Sequence, residues 1–238
     1  MRNTFVIVLA SMSFLTACMP LPQMPIQEQK TSSAAISSAA SAASIELPME
    51  QSSSSPSTGS GSLPERLTDR GILEIGKSDA PHTLTVFTNY SCEYCSEFFR
   101  DMLEPLQQEF MDDGSLKMQI VIIPLQKYKN SLLEAAALTC GTVLGKGQEI
   151  HTALIKAPLR DRKSLLAFAK KLTLSEKEFG KCLDAKETKA LLEQQKELID
   201  SNQVTLIPAF MLNNQRQTGL PSSADLRGWI SSIIRANP

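Results

Sequence analysis

The sequence predicts an α/β protein in which a mixed β-sheet carries helices on both faces and is interrupted by an all-helical insertion. Two observations lead to this fold class. Short β-rich segments occur on both sides of a long helical block, and an amphipathic helix follows each set of strands. The block itself, residues 131–200, is a series of helical patterns separated only by turn residues. The predicted order is strand, strand, helix, strand, helical block, strand, strand, helix.

The strands are predicted from short apolar, β-rich runs bounded by turn residues. They are residues 72–75 at a sheet edge, 83–88 as a buried strand, 118–123, 209–212 and 215–218. Pro124 closes the third of them, and the last two are expected to pair as a hairpin across Asn213 and Asn214.

The helices are predicted from apolar residues at helical spacing. The first covers residues 93–111, where Pro105 is expected to introduce a kink. The last is amphipathic and opens at Ser222. Within the helical block, turns are expected at Gly145, Gly147, Pro158 and Leu174-Ser175.

The composition argues against several classes of function. The 238 residues carry a formal net charge of -1 with no basic stripe, so nucleic acid is not an expected partner. Only two histidines are present, which leaves little room for a His-rich metal site. We therefore expect no metal and no cofactor.

The first 18 residues have the features of an export signal. Arg2 is followed by an apolar stretch at residues 5–15, well short of the ~20 residues that a spanning helix needs. The stretch ends in Leu15-Thr16-Ala17-Cys18, which resembles the lipobox of bacterial lipoproteins. The resemblance implies lipidation of Cys18 and anchoring on the periplasmic side of a membrane, and Met19 after the cysteine favours the outer membrane. The alternative is a chance cysteine after small residues.

Residues 19–63 are rich in Ser, Ala, Pro and Gln, a composition that buries too little apolar surface to fold. We predict a disordered linker there. The globular domain is then expected at residues 64–238, with its helical insertion at about residues 130–202.

The chemistry is expected at Cys92 and Cys95, which follow a buried strand and open a helix. The partial positive charge of a helix N-terminus stabilises a thiolate, so the first cysteine of such a pair is reactive towards disulfides. We expect Cys92 to be exposed and nucleophilic, and Cys95 to be more buried and resolving. Two alternatives are half of a zinc site and an inert structural disulfide.

Pro208 lies directly before a predicted strand, where proline is disfavoured because it removes a hydrogen-bond donor. Taken alone, it is an ordinary trans proline of a turn; beside an active site it can be cis. Together with Cys92 and Cys95, it resembles the signature of the DsbA-like branch of the thioredoxin superfamily. The matching residues are Ala80-Pro81, Leu84, Val86-Phe87, Tyr90-Ser91-Cys92-Glu93-Tyr94-Cys95, Ile207-Pro208-Ala209-Phe210, Asn213 and Gly219.

This resemblance implies a thioredoxin fold with an inserted helical subdomain, and thiol:disulfide exchange with exported proteins. It also implies that the loop at Ile207-Pro208 packs against the cysteine pair and contacts the substrate backbone. A further implication is a structural disulfide between Cys140 and Cys182; two free buried cysteines are the alternative. The expected partners are exported proteins with thiols or disulfides and a membrane redox partner, and the protein is expected to be a monomer.

The chain departs from the family pattern at three positions. Glu93 replaces a proline in the Glu93-Tyr94 dipeptide, and its carboxylate is expected to raise the pKa of Cys92 and weaken oxidation. Val86 replaces a buried acid, and Asn89 replaces an aspartate. The direction of electron flow (oxidase, reductase or isomerase) therefore stays open. So does a second hypothesis, a catalytically inactive thioredoxin-fold lipoprotein that acts as a binding or assembly factor.

Overall fold

The computed structural model of the protein describes residues 63–156 and 161–237. Its strands form a sheet in the order β1-β2-β4-β3-β5-β6. The strands are β1 (Glu65–Leu67), β2 (Leu73–Ile75), β3 (His82–Thr88), β4 (Leu116–Ile122), β5 (Ala209–Leu212) and β6 (Gln215–Thr218). β3 and β4 are parallel, and all the other neighbouring pairs are antiparallel. The sheet is therefore mixed, as the sequence predicted.

The helices follow the predicted order along the chain. They are α1 (Glu93–Glu97), α2 (Leu103–Leu106), α3 (Ser131–Val143), α4 (Gly147–Lys156), α5 (Arg162–Lys171), α6 (Glu176–Asp184), α7 (Lys186–Ser201) and α8 (Ser223–Ala236). The predicted Ser222 start is confirmed, because the Ser222 side chain caps α8 by accepting a hydrogen bond from the N–H of Asp225 at 3.1 Å. No helix in these ranges is long and apolar enough to cross a membrane.

The first helical region is continuous but irregular. π-helical turns at Phe98–Met102 and Gln107–Met111 flank α2, which contains Pro105. A proline has no N–H to donate, so a regular α-helical ladder cannot run through this position. The wider turns keep the chain helical on both sides of it.

The prediction that residues 72–75 form an edge strand of the sheet was wrong. β2 lies inside the sheet between β1 and β4, and β1 forms the edge. A tight turn joins β1 to β2, with the N–H of Thr68 donating to the carbonyl of Ile72 at 3.0 Å. β1 has three residues and none of them is buried, so it carries no hydrophobic pattern that a sequence reading could detect.

The core lies on both faces of the sheet. One face contributes alternate residues of the central strands, such as Val86 and Phe210, which pack with the α1 region, with α8 and with the inserted helices. The other face contributes Phe87 and Val121, which pack with Ile199 near the end of α7. Strand β3, which leads to Cys92, is thereby buried on both sides, which fixes the position of its carboxyl end.

The helices α3 to α7 lie between β4 and β5 in the chain, and they form the predicted insertion. A disulfide of 2.06 Å joins Cys140 on α3 to Cys182 on α6. α3 and α4 approach closely at Gly141, where an added Cβ would lie 2.7 Å from Cγ1 of Ile150. The sequence did not predict the break between α6 and α7, which is made by Ala185 in an extended conformation.

The expectations for residues 1–18 and 19–62, and the turn at Pro158, lie outside the described residues.

Candidate active site

Cys92 and Cys95 occupy the first turn of the helical region that follows β3. Cys92 is the N-cap residue of α1, and its Sγ accepts a hydrogen bond from the N–H of Cys95 at 3.4 Å. Its carbonyl accepts a hydrogen bond from the N–H of Ser96 at 3.0 Å. Both cysteines are free thiols in this structure. One helical turn therefore brings the two thiols together and directs backbone donors at the first of them.

Asn89 holds the loop that presents Cys92. Its side chain is fully buried, and its Nδ2 donates to the carbonyl of Ile123 at 2.8 Å. Its Oδ1 accepts from the N–H of Ser91 at 2.8 Å. A carboxylate at this position could not make the first of these bonds, because it has no hydrogen to donate. The asparagine thus ties the active-site loop to the end of the neighbouring strand.

The expectation that Cys92 is exposed was wrong. Only 9% of Cys92 is exposed, and Cys95 is fully buried. Cys92 lines a cleft of about 510 Å³ together with Tyr94, Lys127 and Leu206. Cys95 is nevertheless more buried than Cys92, as predicted. Both residues of the active-site dipeptide, Glu93 and Tyr94, are exposed.

The environment of Cys92 favours the thiolate and lowers its pKa to about 6. The largest cause is a hydrogen bond from the Cys95 thiol, and burial opposes it. Smaller favourable contributions come from the backbone N–H groups of Cys95 and Tyr94 and from the charge of Lys127. The net effect is a lowered pKa even though the carboxylate of Glu93 is the next residue, and that side chain is exposed to solvent, which weakens its influence.

Cys95 is kept protonated. Its pKa is raised, first because its thiol donates a hydrogen bond to Cys92 and second because it is buried. The Thr88 side chain acts in the opposite direction and lowers the pKa. Val86, where an acid was expected from the family pattern, is fully buried and apolar. At neutral pH the site therefore holds a Cys92 thiolate that accepts a hydrogen bond from the protonated thiol of Cys95.

The loop before β5 reaches the same cleft. Ile207 lines the cleft together with Cys92, and the peptide bond between Ile207 and Pro208 is cis. Pro208 is buried, and its carbonyl accepts a hydrogen bond from the N–H of Gly219 at 2.9 Å. The loop is placed there because Ala209 of β5 pairs with Phe87 of β3, just before the active-site turn.

A buried polar contact connects the active-site loop to the insertion, and the sequence reading missed it. The hydroxyl of Tyr90 and Nδ1 of His151 are 2.8 Å apart, and each residue is 4% exposed. Burial lowers the pKa of His151 to about 3, so its ring is neutral. Burial, followed by the charge of Glu134, raises the pKa of Tyr90. The sequence places His151 on a helix but gives no local signal for a contact 61 positions away.

The site offers no evident metal ligands. Within residues 63–156 and 161–237, no group of three or more His, Cys, Asp and Glu side chains is arranged to hold a metal ion. Cys140 and Cys182 are bonded to each other and so are not available to join Cys92 and Cys95 as ligands.

Comparison with known families gives the classification of the chain. A family model described as Thioredoxin matches residues 68–232, which include every element from β2 to most of α8. The chain belongs to the thioredoxin family. The cysteine pair follows the carboxyl end of β3, and the cis-proline loop precedes the amino end of β5. Because these two strands of the thioredoxin-family sheet are antiparallel, both features lie at the same edge of the sheet.

Solved structures share the fold of this thioredoxin-family chain. BdbD from Bacillus subtilis, in its oxidised form, superposes with a TM-score of 0.63 at 20% identity, over 73% of this chain and 98% of that one. The α-DsbA1 protein of Wolbachia pipientis gives a TM-score of 0.59 at 17% identity, over 68% of this chain and 90% of that one. At this level of identity the similarity establishes the fold alone.

A curated relative matches part of the sequence. It is Disulfide bond formation protein D of Bacillus subtilis (strain 168), which is 35% identical over 68 residues. The match spans 29% of this chain and 30% of the relative.

Proposed function

We propose that the protein is a thiol:disulfide oxidoreductase that exchanges disulfides with other proteins, with Cys92 as nucleophile and Cys95 as resolving thiol. One observation carries the proposal. Cys92 lies in an open cleft with its pKa lowered to about 6, and the cause is a neighbouring thiol that is itself held in the protonated form. An inert structural pair has no need of this asymmetry between the two sulfurs.

The exchange is a two-electron reaction in two steps. The Cys92 thiolate attacks one sulfur of a substrate disulfide, forms a mixed disulfide and releases the other sulfur as a thiolate. Cys95 then loses its proton and attacks Sγ of Cys92, which releases the reduced substrate and leaves a Cys92–Cys95 disulfide. Run in reverse, the same steps oxidise a substrate dithiol and reduce the pair.

The two steps are ordered by the hydrogen bond between the thiols. While Cys92 is a thiolate, that bond is the largest cause of the raised pKa of Cys95. Once Cys92 is bonded to a substrate it carries no charge, and this cause disappears. The resolving thiol is therefore activated only after the first step has taken place.

The remaining parts of the proposal concern substrate and location. Ile207 and Pro208 are proposed to contact the backbone of the substrate next to Cys92, because Ile207 lines the same cleft. The name of the Bacillus relative supports an action on disulfides. We further propose export, lipidation at Cys18, a membrane redox partner and a monomeric state. Replacement of Cys18 by serine is then expected to move the protein from the membrane to the soluble fraction.

The test is an equilibrium titration of the Cys92–Cys95 pair against glutathione, with the Cys92→Ser variant as control. A potential near -120 mV would identify a disulfide donor and a value near -270 mV a reductase, since these are about the values for DsbA and thioredoxin. A pair that cannot be reduced and reoxidised would overturn the proposal. It would leave the binding or assembly factor as the remaining hypothesis.

A further inference from the structure

A cavity of about 430 Å³ lies between the first helical region and α4. It is separate from the cleft at Cys92, because the two have no lining residue in common. One wall is formed by Phe99 and Leu103, and the other by Thr152 and Ile155 of α4. Cavities of this volume hold small molecules in other proteins. We call it the α4 cavity.

His151 lines the α4 cavity and has one unpaired ring nitrogen. Its Nδ1 lies 2.8 Å from the Tyr90 hydroxyl, whereas its Nε2 is buried and has no hydrogen-bond partner within residues 63–156 and 161–237. The ring is held by the contact with Tyr90 and by an edge contact with Phe99, since those two ring centroids are 4.4 Å apart. A buried polar atom without a partner is costly, so Nε2 indicates a ligand that the folded chain itself does not supply.

We expect the unpaired nitrogen to carry the proton of the imidazole. Burial raises the pKa of Tyr90 and lowers that of His151 to about 3, so both groups are neutral at neutral pH. The Tyr90 hydroxyl has one hydrogen, and Nδ1 of His151 is its hydrogen-bond partner in the described part of the chain. Nδ1 then accepts, which leaves the N–H at Nε2. The missing partner of Nε2 is therefore a hydrogen-bond acceptor.

The rim of the α4 cavity carries positive charge. Arg100 and Lys156 line it, and the described residues that line it include no acidic side chain. Arg100 is paired with Asp101 at 2.9 Å, whereas Lys156 forms no ion pair with any residue that the structure describes. Lys156 thus remains as a cation for a ligand that enters the cavity.

We propose that the α4 cavity binds a small carboxylic acid with an apolar chain or ring, in its anionic form. The carboxylate accepts a hydrogen bond from the N–H at Nε2 of His151 and faces the ammonium group of Lys156. The apolar part packs against Leu103 and Ile155. A carboxylate fits because it has acceptors only, and a charge-assisted hydrogen bond offsets the loss of its hydration. This inference goes beyond the proposed function, because the α4 cavity includes neither Cys92 nor Cys95.

The experiment measures binding to the full-length protein by calorimetry. The probes are hexanoate and phenylacetate, and 1-hexanol and 2-phenylethanol are their uncharged controls. Lys156→Met alters the rim, and the matched control is Lys163→Met, because Lys163 is an exposed lysine of α5 outside the α4 cavity. We expect the acids to bind the wild type and Lys163→Met equally well, and Lys156→Met about threefold more weakly. The alcohols should bind the wild type about tenfold more weakly than the acids.

Three outcomes of the calorimetry would overturn the inference. The first is that neither acid binds, and the second is that Lys156→Met and Lys163→Met bind the acids with equal affinity. The third is that the alcohols bind as well as the acids, which would exclude recognition of a carboxylate. Tighter binding of N-acetyl-dileucine than of either acid would also overturn it, since the cavity would then hold the end of a polypeptide.

Nitrogen NMR of the histidine side chains locates the bound anion. The chain has two histidines, so the ring of His82 serves as an internal control. In the free protein His151 should have its proton on Nε2, and saturation with phenylacetate should shift that nitrogen and leave both nitrogens of His82 unchanged. A proton on Nδ1, or an Nε2 signal that phenylacetate does not shift, would overturn the inference. None of these measurements involves disulfide exchange, so their failure is distinct from a failure of the proposed function.

Discussion

The backbone N–H of Cys95 donates a hydrogen bond to Sγ of Cys92 across 3.4 Å, and the Cys95 thiol is the largest cause of the lowered pKa of Cys92. In the proposed mechanism, the residue that stabilises the thiolate is also the one that later attacks the bond which that thiolate forms. The reactivity of the first cysteine should therefore respond to the side chain at the second position.

We expect the alkylation rate of Cys92 by iodoacetamide to rise with pH through a midpoint near 6 and to level off above it. Replacement of Cys95 by alanine removes the thiol donor and should move the midpoint upwards. Cys95→Ser keeps a hydroxyl donor and should shift the midpoint less. Equal shifts in the two variants would show that the side-chain hydrogen bond is not the cause.

Lys127 should also lower the pKa of Cys92, by less than the Cys95 thiol does. It is exposed in the loop after β4 and lies in the cleft with Cys92, and its charge helps to lower the pKa of that thiol. Lys127→Met should raise the midpoint by roughly half a pH unit at low salt, and high salt should abolish the difference. The control is Lys129→Met, an exposed lysine of the same loop that does not line the cleft.

The stability of the reduced protein should depend on pH through Cys92. Its pKa is about 6 in the folded state and close to the ordinary value of 9.0 when unfolded, so the unfolded chain binds more protons between these values. Stability relative to Cys92→Ala should therefore rise as pH increases from 6 to 9, and it should be lost as pH falls through 6. Urea titrations of both reduced proteins across this pH range measure how the difference in their free energies of unfolding changes with pH. A difference that stays constant from pH 6 to pH 9 would contradict the prediction.

The contact between Tyr90 and His151 should stabilise the fold. Tyr90→Phe leaves Nδ1 of a buried histidine without its partner, which costs about 1–3 kcal/mol in the free energy of unfolding. A double-mutant cycle with His151→Leu isolates the interaction from the loss of packing. A coupling energy indistinguishable from zero would mean that the hydrogen bond contributes nothing to stability.

Removal of the disulfide should destabilise the protein without affecting exchange. The Cys140–Cys182 bond closes a loop over a separation of 42 residues, which corresponds to about 4 kcal/mol in the chain-entropy model. The variant with alanine at both positions should lose stability of this order in urea, and its Cys92 midpoint should be unchanged. A shifted midpoint would show that the insertion and the active site are coupled.

The parts of the fold that the sequence predicted well are those fixed by local chemistry. The hairpin of β5 and β6 has the predicted bounds, because Asn213 adopts a φ of 54°, a conformation that asparagine tolerates better than most residues. The position of Cys92 at a helix start likewise follows from its two neighbouring elements. In each case the signal lies within a few residues of the feature.

The parts that the sequence did not predict depend on distant contacts. β1 is a strand only because it pairs with β2. The cleft that Cys92 lines is completed by the loops near Lys127 and Leu206, far along the chain. The lowered pKa of Cys92 beside Glu93 depends on the hydrogen bond from the Cys95 thiol, which the residue types alone do not reveal.

The disulfide within the insertion also bears on how the chain is made. Among the four cysteines that the structure describes, Cys95 is the next one after Cys92 and Cys182 is the next one after Cys140, so the disulfide joins two cysteines with no other cysteine between them. Of the three ways to pair these four cysteines, the one that combines the Cys140–Cys182 bond with a Cys92–Cys95 bond is the one that a chain emerging with its N-terminus first can complete in the order of synthesis. Once Cys92 and Cys95 have joined, Cys140 meets no other free thiol among these four cysteines until Cys182 appears. Correct connectivity can therefore be reached during emergence without any bond having to be broken and remade.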